Sequence, residues 1–163
     1  MQKVYYHNFY KLQMAMQGNN SNVVIFGPES SGKCEALERC MEQFSMTGKV
    51  AIFTSKGVLQ NFAHRNENID CYDWHGEKRK IDCDLIDKDY DVLLIDGYCE
   101  NWVSVLNRFP NTRVIMTVRA ASFNDVSLCL KQQFGIVAKT GFVKNMDGVK
   151  GILTIKKFGN KNA

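Results

Sequence analysis

The stretch Asn22-Val23-Val24-Ile25-Phe26-Gly27-Pro28-Glu29-Ser30-Ser31-Gly32-Lys33-Cys34 constrains this chain more than any other. Val23 to Phe26 carry no polar interruption, which is the pattern of a parallel strand buried on both faces. The run passes directly into G-x-x-x-x-G-K and then into an amphipathic helical pattern. Strand, glycine loop and helix in that order are the context a phosphate-binding loop requires. Gly27 and Gly32 free the backbone to wrap an anion and aim successive N–H groups at it. Pro28, Glu29, Ser30 and Ser31 span the loop between them. A helix starting near Gly32 adds the positive end of its dipole, and Lys33 brings a full charge to the β- and γ-phosphates. The next residue in such loops is Ser or Thr, whose hydroxyl holds Mg²⁺, but here it is Cys34. A thiol is a poor ligand for that hard cation, so binding and hydrolysis are separate questions.

A length of 163 residues suits a single domain with a real core, and 45% hydrophobic with 23% charged residues is ordinary for a globular chain. A net charge of +4 permits an acidic partner such as nucleic acid or a membrane surface without arguing for one. No apolar stretch is long enough to span a bilayer, and Met1-Gln2-Lys3 lacks the apolar core of a signal peptide. The expected location is the cytoplasm, by elimination, with a peripheral membrane complex still open. The six cysteines are scattered without a C-x-x-C pair, as expected of buried hydrophobes in a reducing compartment. Cys71, His75 and Cys83, with His64 nearby, match no common zinc spacing.

Taken in order, Phe9, Leu12 and Met16 predict a helix within residues 5–17, packed beside the first strand and closed by Gly18 to Ser21. The alternative for Tyr5, Tyr6, Phe9 and Tyr10 is stacking on the base of a nucleotide. Ala36, Leu37, Cys40, Met41 and Phe44 form the apolar face of the helix after the loop. Val50 to Phe53 predict a second buried strand, completing a right-handed crossover. Residues 57–90 are less regular: Val58, Leu59 and Phe62 suggest a short helix, and Ile69 to Tyr72 an extended piece. The basic run Trp74 to Lys80 reads as a solvated loop, with nucleic-acid contact as the alternative.

Asp91 to Asp96 predict another buried strand with an acid at its carboxyl end, where parallel sheets place ligands. Behind a phosphate loop, Asp96 is expected to hold Mg²⁺ through water. Glu100 is the nearest second carboxylate able to polarise an attacking water, or else a helix-start Glu favoured by the dipole. Trp102, Val103, Leu106 and Phe109 read as a helical face ending at Pro110. Val114 to Val118 predict a further strand, whose end offers Thr117 to hydrogen-bond the γ-phosphate and Arg119 to pair with it. Ser122 is placed to cap a helix carrying Phe123, Val126, Cys129 and Leu130. Ile136 to Val143 and Gly151 to Ile155 flank Asp147-Gly148 as a hairpin, and 159–163 read as a frayed tail.

Gly27 to Lys33 resembles the phosphate loop of the RecA recombinases. The wider layout is similar to the secretion-superfamily ATPases of type II and type IV secretion, pilus assembly and conjugation. Their "GPTGSGKT" follows a short helix and an Asn-rich turn, as Asn19 to Asn22 does here. Their "D-x-I-I-x-G-E-x-R" strand is matched by Asp91 to Gly97, and their "T-x-H-A-N-S" strand end by Met116 to Ser122. Their core closes on a hairpin like Ile136 to Ile155. This chain departs at Cys34 for Thr, at Asp96 for the strand Glu, at Arg119 for the His, and at Thr54-Ser55-Lys56 for an acidic motif.

The resemblance implies a three-layer α/β RecA-like core with a mainly parallel sheet and a C-terminal hairpin, as a shortened, divergent member without the amino-terminal domain of those motors. It implies ATP or GTP and Mg²⁺ as cofactors and a homo- or hetero-oligomer that moves DNA or protein cargo. Two functional classes follow. In an ATPase, Lys33 and the loop amides hold the phosphates while Asp96 or Glu100 orients water. In a hydrolysis-deficient partner of an active ATPase, the loop persists and the chemistry is lost. A RecA-like DNA-associated ATPase is the remaining alternative.

Overall fold

The computed structural model describes residues 5–6, 8–74, 79–146 and 148–158, with Tyr5, Val143 and Asn145 described by backbone alone. Its elements in chain order are β1 (Tyr5–Tyr6), α1 (Phe9–Met16), β2 (Asn22–Gly27), α2 (Lys33–Phe44), β3 (Val50–Thr54), α3 (Gly57–His64) and β4 (Ile69–Asp73). They continue as β5 (Val92–Ile95), α4 (Trp102–Arg108), β6 (Arg113–Arg119), α5 (Leu128–Phe134), β7 (Gly135–Asn145) and β8 (Gly148–Lys157). The architecture is α/β with mainly parallel strands and an antiparallel C-terminal hairpin. Two compact units divide the chain, Met1–Ala36 with Thr117–Ala163, and Leu37–Met116.

In the first unit the strand order is β1-β8-β7-β2. β2 pairs parallel with β7 from Asn22↔Gly135 to Phe26↔Lys139. β7 and β8 pair antiparallel from Ile136↔Lys157 to Asn145↔Gly148. Asp147 of the expected Asp-Gly turn and the 159–163 tail lie outside the described residues. Val23 to Phe26 are wholly buried, as a strand covered on both faces requires.

Three expectations change in this unit. Tyr5 and Tyr6 are not helical: they form β1, parallel to β8 at Tyr5↔Lys150 and Tyr6↔Gly151. The helix begins at Phe9 and packs on β8 and β7 rather than chiefly on the first strand. Asn8 fixes that docking by strand mimicry, its amide donating to Leu153 O at 2.7 Å and accepting from Leu153 N at 3.0 Å. The single helix expected after Ser122 is instead a 3-10 turn, Phe123–Asp125, followed by α5. Ser127 caps α5, its hydroxyl accepting from Leu130 N, while Ser122 Oγ meets Asp125 Oδ2 at 3.0 Å.

In the second unit β5 lies between β3 and β6, with β4 outside β3, all parallel. β3 and β5 are fully buried runs, and Leu37, Cys40 and Met41 bury one face of α2 while Phe44 is half-buried. α3 follows the expected helix, but Leu59 and Ala63 carry its buried face while Val58 is exposed. α4 buries Trp102 and Val105, with Phe109 just beyond, and leaves Val103 exposed. The spacing of three and then four residues selects that stripe over the Val103–Leu106 one. Among the described residues no helix is long and apolar enough to cross a membrane.

Candidate phosphate-binding site

β2 carries the chain up to Gly27, and α2 starts at Lys33, so the loop between them is short. Two departures to positive φ, at Ser30 (59°) and Gly32 (95°), fold it back toward the helix. Pro28, Glu29 and Ser30 are exposed at its crown, whereas Ser31 and Gly32 are buried at its base.

Side chains far away in the sequence hold that base. Tyr6 Oη donates to Gly32 O at 2.6 Å. A Cβ on Gly32 would collide with that hydroxyl, so glycine is demanded twice, by φ and by contact. Ser31 Oγ lies 2.8 Å from Thr140 Oγ1, which donates to Phe26 O at 3.2 Å. The single Thr140 hydrogen is thereby used, so Ser31 is the donor to Thr140. A Cβ on Gly27 would strike both hydroxyls. Thr140 was not singled out by the sequence, and Tyr6 only as a ring that could stack on a base, since only strand pairing brings β1 and β7 beside the loop.

Lys33 Nζ donates to Gly27 O and to Pro28 O at 2.7 Å each, so the ammonium stands over the mouth of its own loop. Cys34 follows in the first turn of α2, half-buried. Arg119 reaches the loop through Glu29 at 3.3 Å; both side chains are about three-quarters exposed, which makes the pair weak. Ala120 N donates to Gly27 O at 3.2 Å and ties the end of β6 to the loop. Thr117 is buried, so its hydroxyl belongs to the interior of this unit.

Asp96 and Glu100 belong to the second unit. The register Phe53↔Ile95 sets the next residues, Thr54 and Asp96, side by side. Thr54 Oγ1 donates to Asp96 Oδ2 at 2.7 Å, with Asp96 9% exposed, and Lys56 Nζ stands 3.8 Å from Oδ1. Thr54 and Lys56 therefore hold the carboxylate, although in sequence they looked only like a lost acidic motif. Two strands each closing on a polar residue was the available signal. Glu100 is half exposed and pairs at 4.0 Å with Lys80. Its N–H donates to Arg79 O at 2.9 Å, which fixes it to the segment ahead of it.

Among the described residues no group of three His, Cys, Asp or Glu side chains is gathered to hold a metal. His75 of the doubtful zinc set, and residues 75–78 of the basic run, lie outside the described residues. For Mg²⁺ the donor chemistry divides: the Asp96 carboxylate suits a hard cation and the Cys34 thiol does not.

A glycine loop between a buried strand and a helix, on a mainly parallel sheet with a terminal hairpin, is the arrangement of a RecA-like α/β fold. Two among the similar solved structures illustrate it. One is the flagellar accessory protein FlaH of Methanocaldococcus jannaschii, with a TM-score of 0.64 at 13% identity, covering 91% of this chain and 84% of that one. The other is the Legionella pneumophila ATPase DotB, with a TM-score of 0.61 at 11% identity, covering 93% of this chain and 49% of that one. This chain thus spans about half of DotB. At such identities the likeness is one of fold. No family model matches the chain. No curated protein matches it.

Proposed function

We propose that this protein binds a nucleoside triphosphate, ATP or GTP, through Gly27 to Cys34, and acts within an oligomeric assembly that transports protein or moves DNA. The observation that carries the reading is the loop itself. Its base is pinned by Tyr6 and Thr140, and Lys33 sits over its mouth at the start of a 12-residue helix. Loop amides and the helix end would meet the phosphate oxygens, and Lys33 would exchange two carbonyl acceptors for phosphate oxygens. Arg119, already on Glu29, is the cation that an incoming phosphate would draw away. FlaH, a flagellar accessory protein, and DotB, an ATPase, support a nucleotide-linked role in an assembly.

Mg²⁺ would be held by Asp96 through water, its carboxylate oriented by Thr54, and when bound would neutralise charge on the phosphates. Glu100 is the proposed water-orienting base, with Lys80 as the cation it must leave. A second reading rests on Cys34, since losing the hydroxyl ligand favours a nucleotide-binding partner of an active ATPase over an efficient hydrolase.

The test is binding and turnover of ATP and GTP, with and without Mg²⁺, on wild type beside Cys34→Thr. Binding by wild type supports the loop assignment; no binding of either nucleotide overturns it. Turnover by wild type decides for the ATPase. Binding without turnover, restored or tightened by Cys34→Thr, decides for the hydrolysis-deficient partner.

A further inference from the structure

Beyond the carboxyl ends of β3 and β4, in the second unit, lies a cavity of about 260 Å³. Phe53, Tyr72, Trp74, Arg79, Asp82 and Ile86 are among the residues that line it. Ligands of parallel sheets collect at this end of the strands. The volume falls just under the range of drug-sized sites, which suits a ring rather than a whole nucleotide.

The lining is aromatic and amphoteric. Phe53 and Tyr72 stack at 4.8 Å with an interplanar angle of 10°, and Trp74 meets Phe53 edge-on at 5.9 Å. Trp74 is buried, and among the described residues its indole Nε1 has no hydrogen-bond partner. Asp82 uses Oδ1 to accept from Asp84 N at 3.2 Å, and among the described residues its Oδ2 has no partner. Arg79 spends one nitrogen on a long 3.5 Å contact to Asp96 O, which leaves most of a five-donor fork. An acid and a base in one lining argue against a simple anion or cation. They fit a flat ligand that carries both acceptors and N–H donors.

We propose that this cavity binds a nucleobase, offered either by a free nucleoside or by a base within a single strand. The ring packs on the Phe53–Tyr72–Trp74 cluster, as aromatic side chains receive any base. A ring N–H donates to Asp82. Arg79 stacks on the ring or donates to a second acceptor. The inference stands apart from the phosphate-loop reading and uses none of its residues.

Adenosine, guanosine, cytidine and uridine are the probes, because they lack the phosphates that a phosphate loop needs. The protein has two tryptophans, and Trp74→Phe identifies which indole N–H resonance belongs to Trp74. At least one nucleoside is expected to move that resonance saturably, equally in wild type and in Lys33→Ala. Asp82→Asn keeps the backbone cap but reverses part of the site, and is expected to weaken binding about tenfold. A short mixed-sequence oligonucleotide, titrated in parallel, assigns the base to a strand if it saturates at lower concentration, and to a free nucleoside otherwise. No saturable shift with any of these probes overturns the proposal. So does a shift that both Asp82→Asn and Arg79→Gln leave unchanged.

Discussion

Tyr6 donates its phenolic hydrogen to the carbonyl oxygen of Gly32 at 2.6 Å, so a two-residue strand near the amino terminus braces the base of the glycine loop. The two residues are 26 positions apart and meet only because β1 pairs with β8.

Tyr6→Phe keeps the ring and removes that bond, which leaves the Gly32 carbonyl with the Ala36 N–H at 3.0 Å. The expected cost is about 0.5–1.5 kcal/mol of stability, read as a lower urea midpoint, with several-fold weaker ATP binding. An unchanged midpoint would show that the brace contributes nothing.

Lys33→Ala removes the ammonium that stands over the loop while sparing the brace. ATP binding should weaken by roughly 10- to 100-fold, the worth of charge-assisted hydrogen bonds, with little change in melting temperature. Calorimetric titration checks it, and an unaltered Kd would remove the phosphate assignment.

Asp70 accepts from Tyr90 Oη at 2.6 Å and from Lys88 Nζ at 3.3 Å, and these bonds, Tyr90 first, hold its carboxyl below the usual range. A lowered folded pKa gives stability that is present above the unfolded pKa and lost as pH falls through the folded one. Tyr90→Phe should therefore cost about 1 kcal/mol near neutral pH, with the gap narrowing below about pH 4. Melting curves across that window decide it; a gap constant in acid would refute the linkage.

Cys40 is fully buried on α2, and burial pushes its thiol up to about 12. Cys129 is exposed. Iodoacetamide at mildly alkaline pH should modify Cys129 early and Cys40 only with unfolding. The raised value also predicts that stability falls as pH climbs from the ordinary thiol range toward 12, where the unfolded chain ionises first. Peptide mapping against time tests the first claim, and equal labelling rates would overturn it.

Residues whose neighbours lie within a turn or a strand were legible. Val23 to Phe26, Val50 to Phe53 and Val92 to Ile95 read as buried strands because continuous apolar runs have few other uses in a parallel sheet. The Asn8 clamp on Leu153 and the Ser31–Thr140 contact were not legible, since each joins residues more than a hundred positions apart. The α5 cap was misplaced because Ser122 and Ser127 are both acceptable caps, and only the intervening 3-10 turn selects Ser127.

The sequence by itself determined the glycine loop, its Lys33, the thiol at Cys34, and the order of strands and helices from α1 onward, all of which follow from local periodicity and backbone chemistry. Only the tertiary structure decided which side chains hold that loop and which hold Asp96. Tyr6 and Thr140 reach the loop, and Thr54 reaches Asp96, through strand register, a pairing between distant segments that no local pattern encodes.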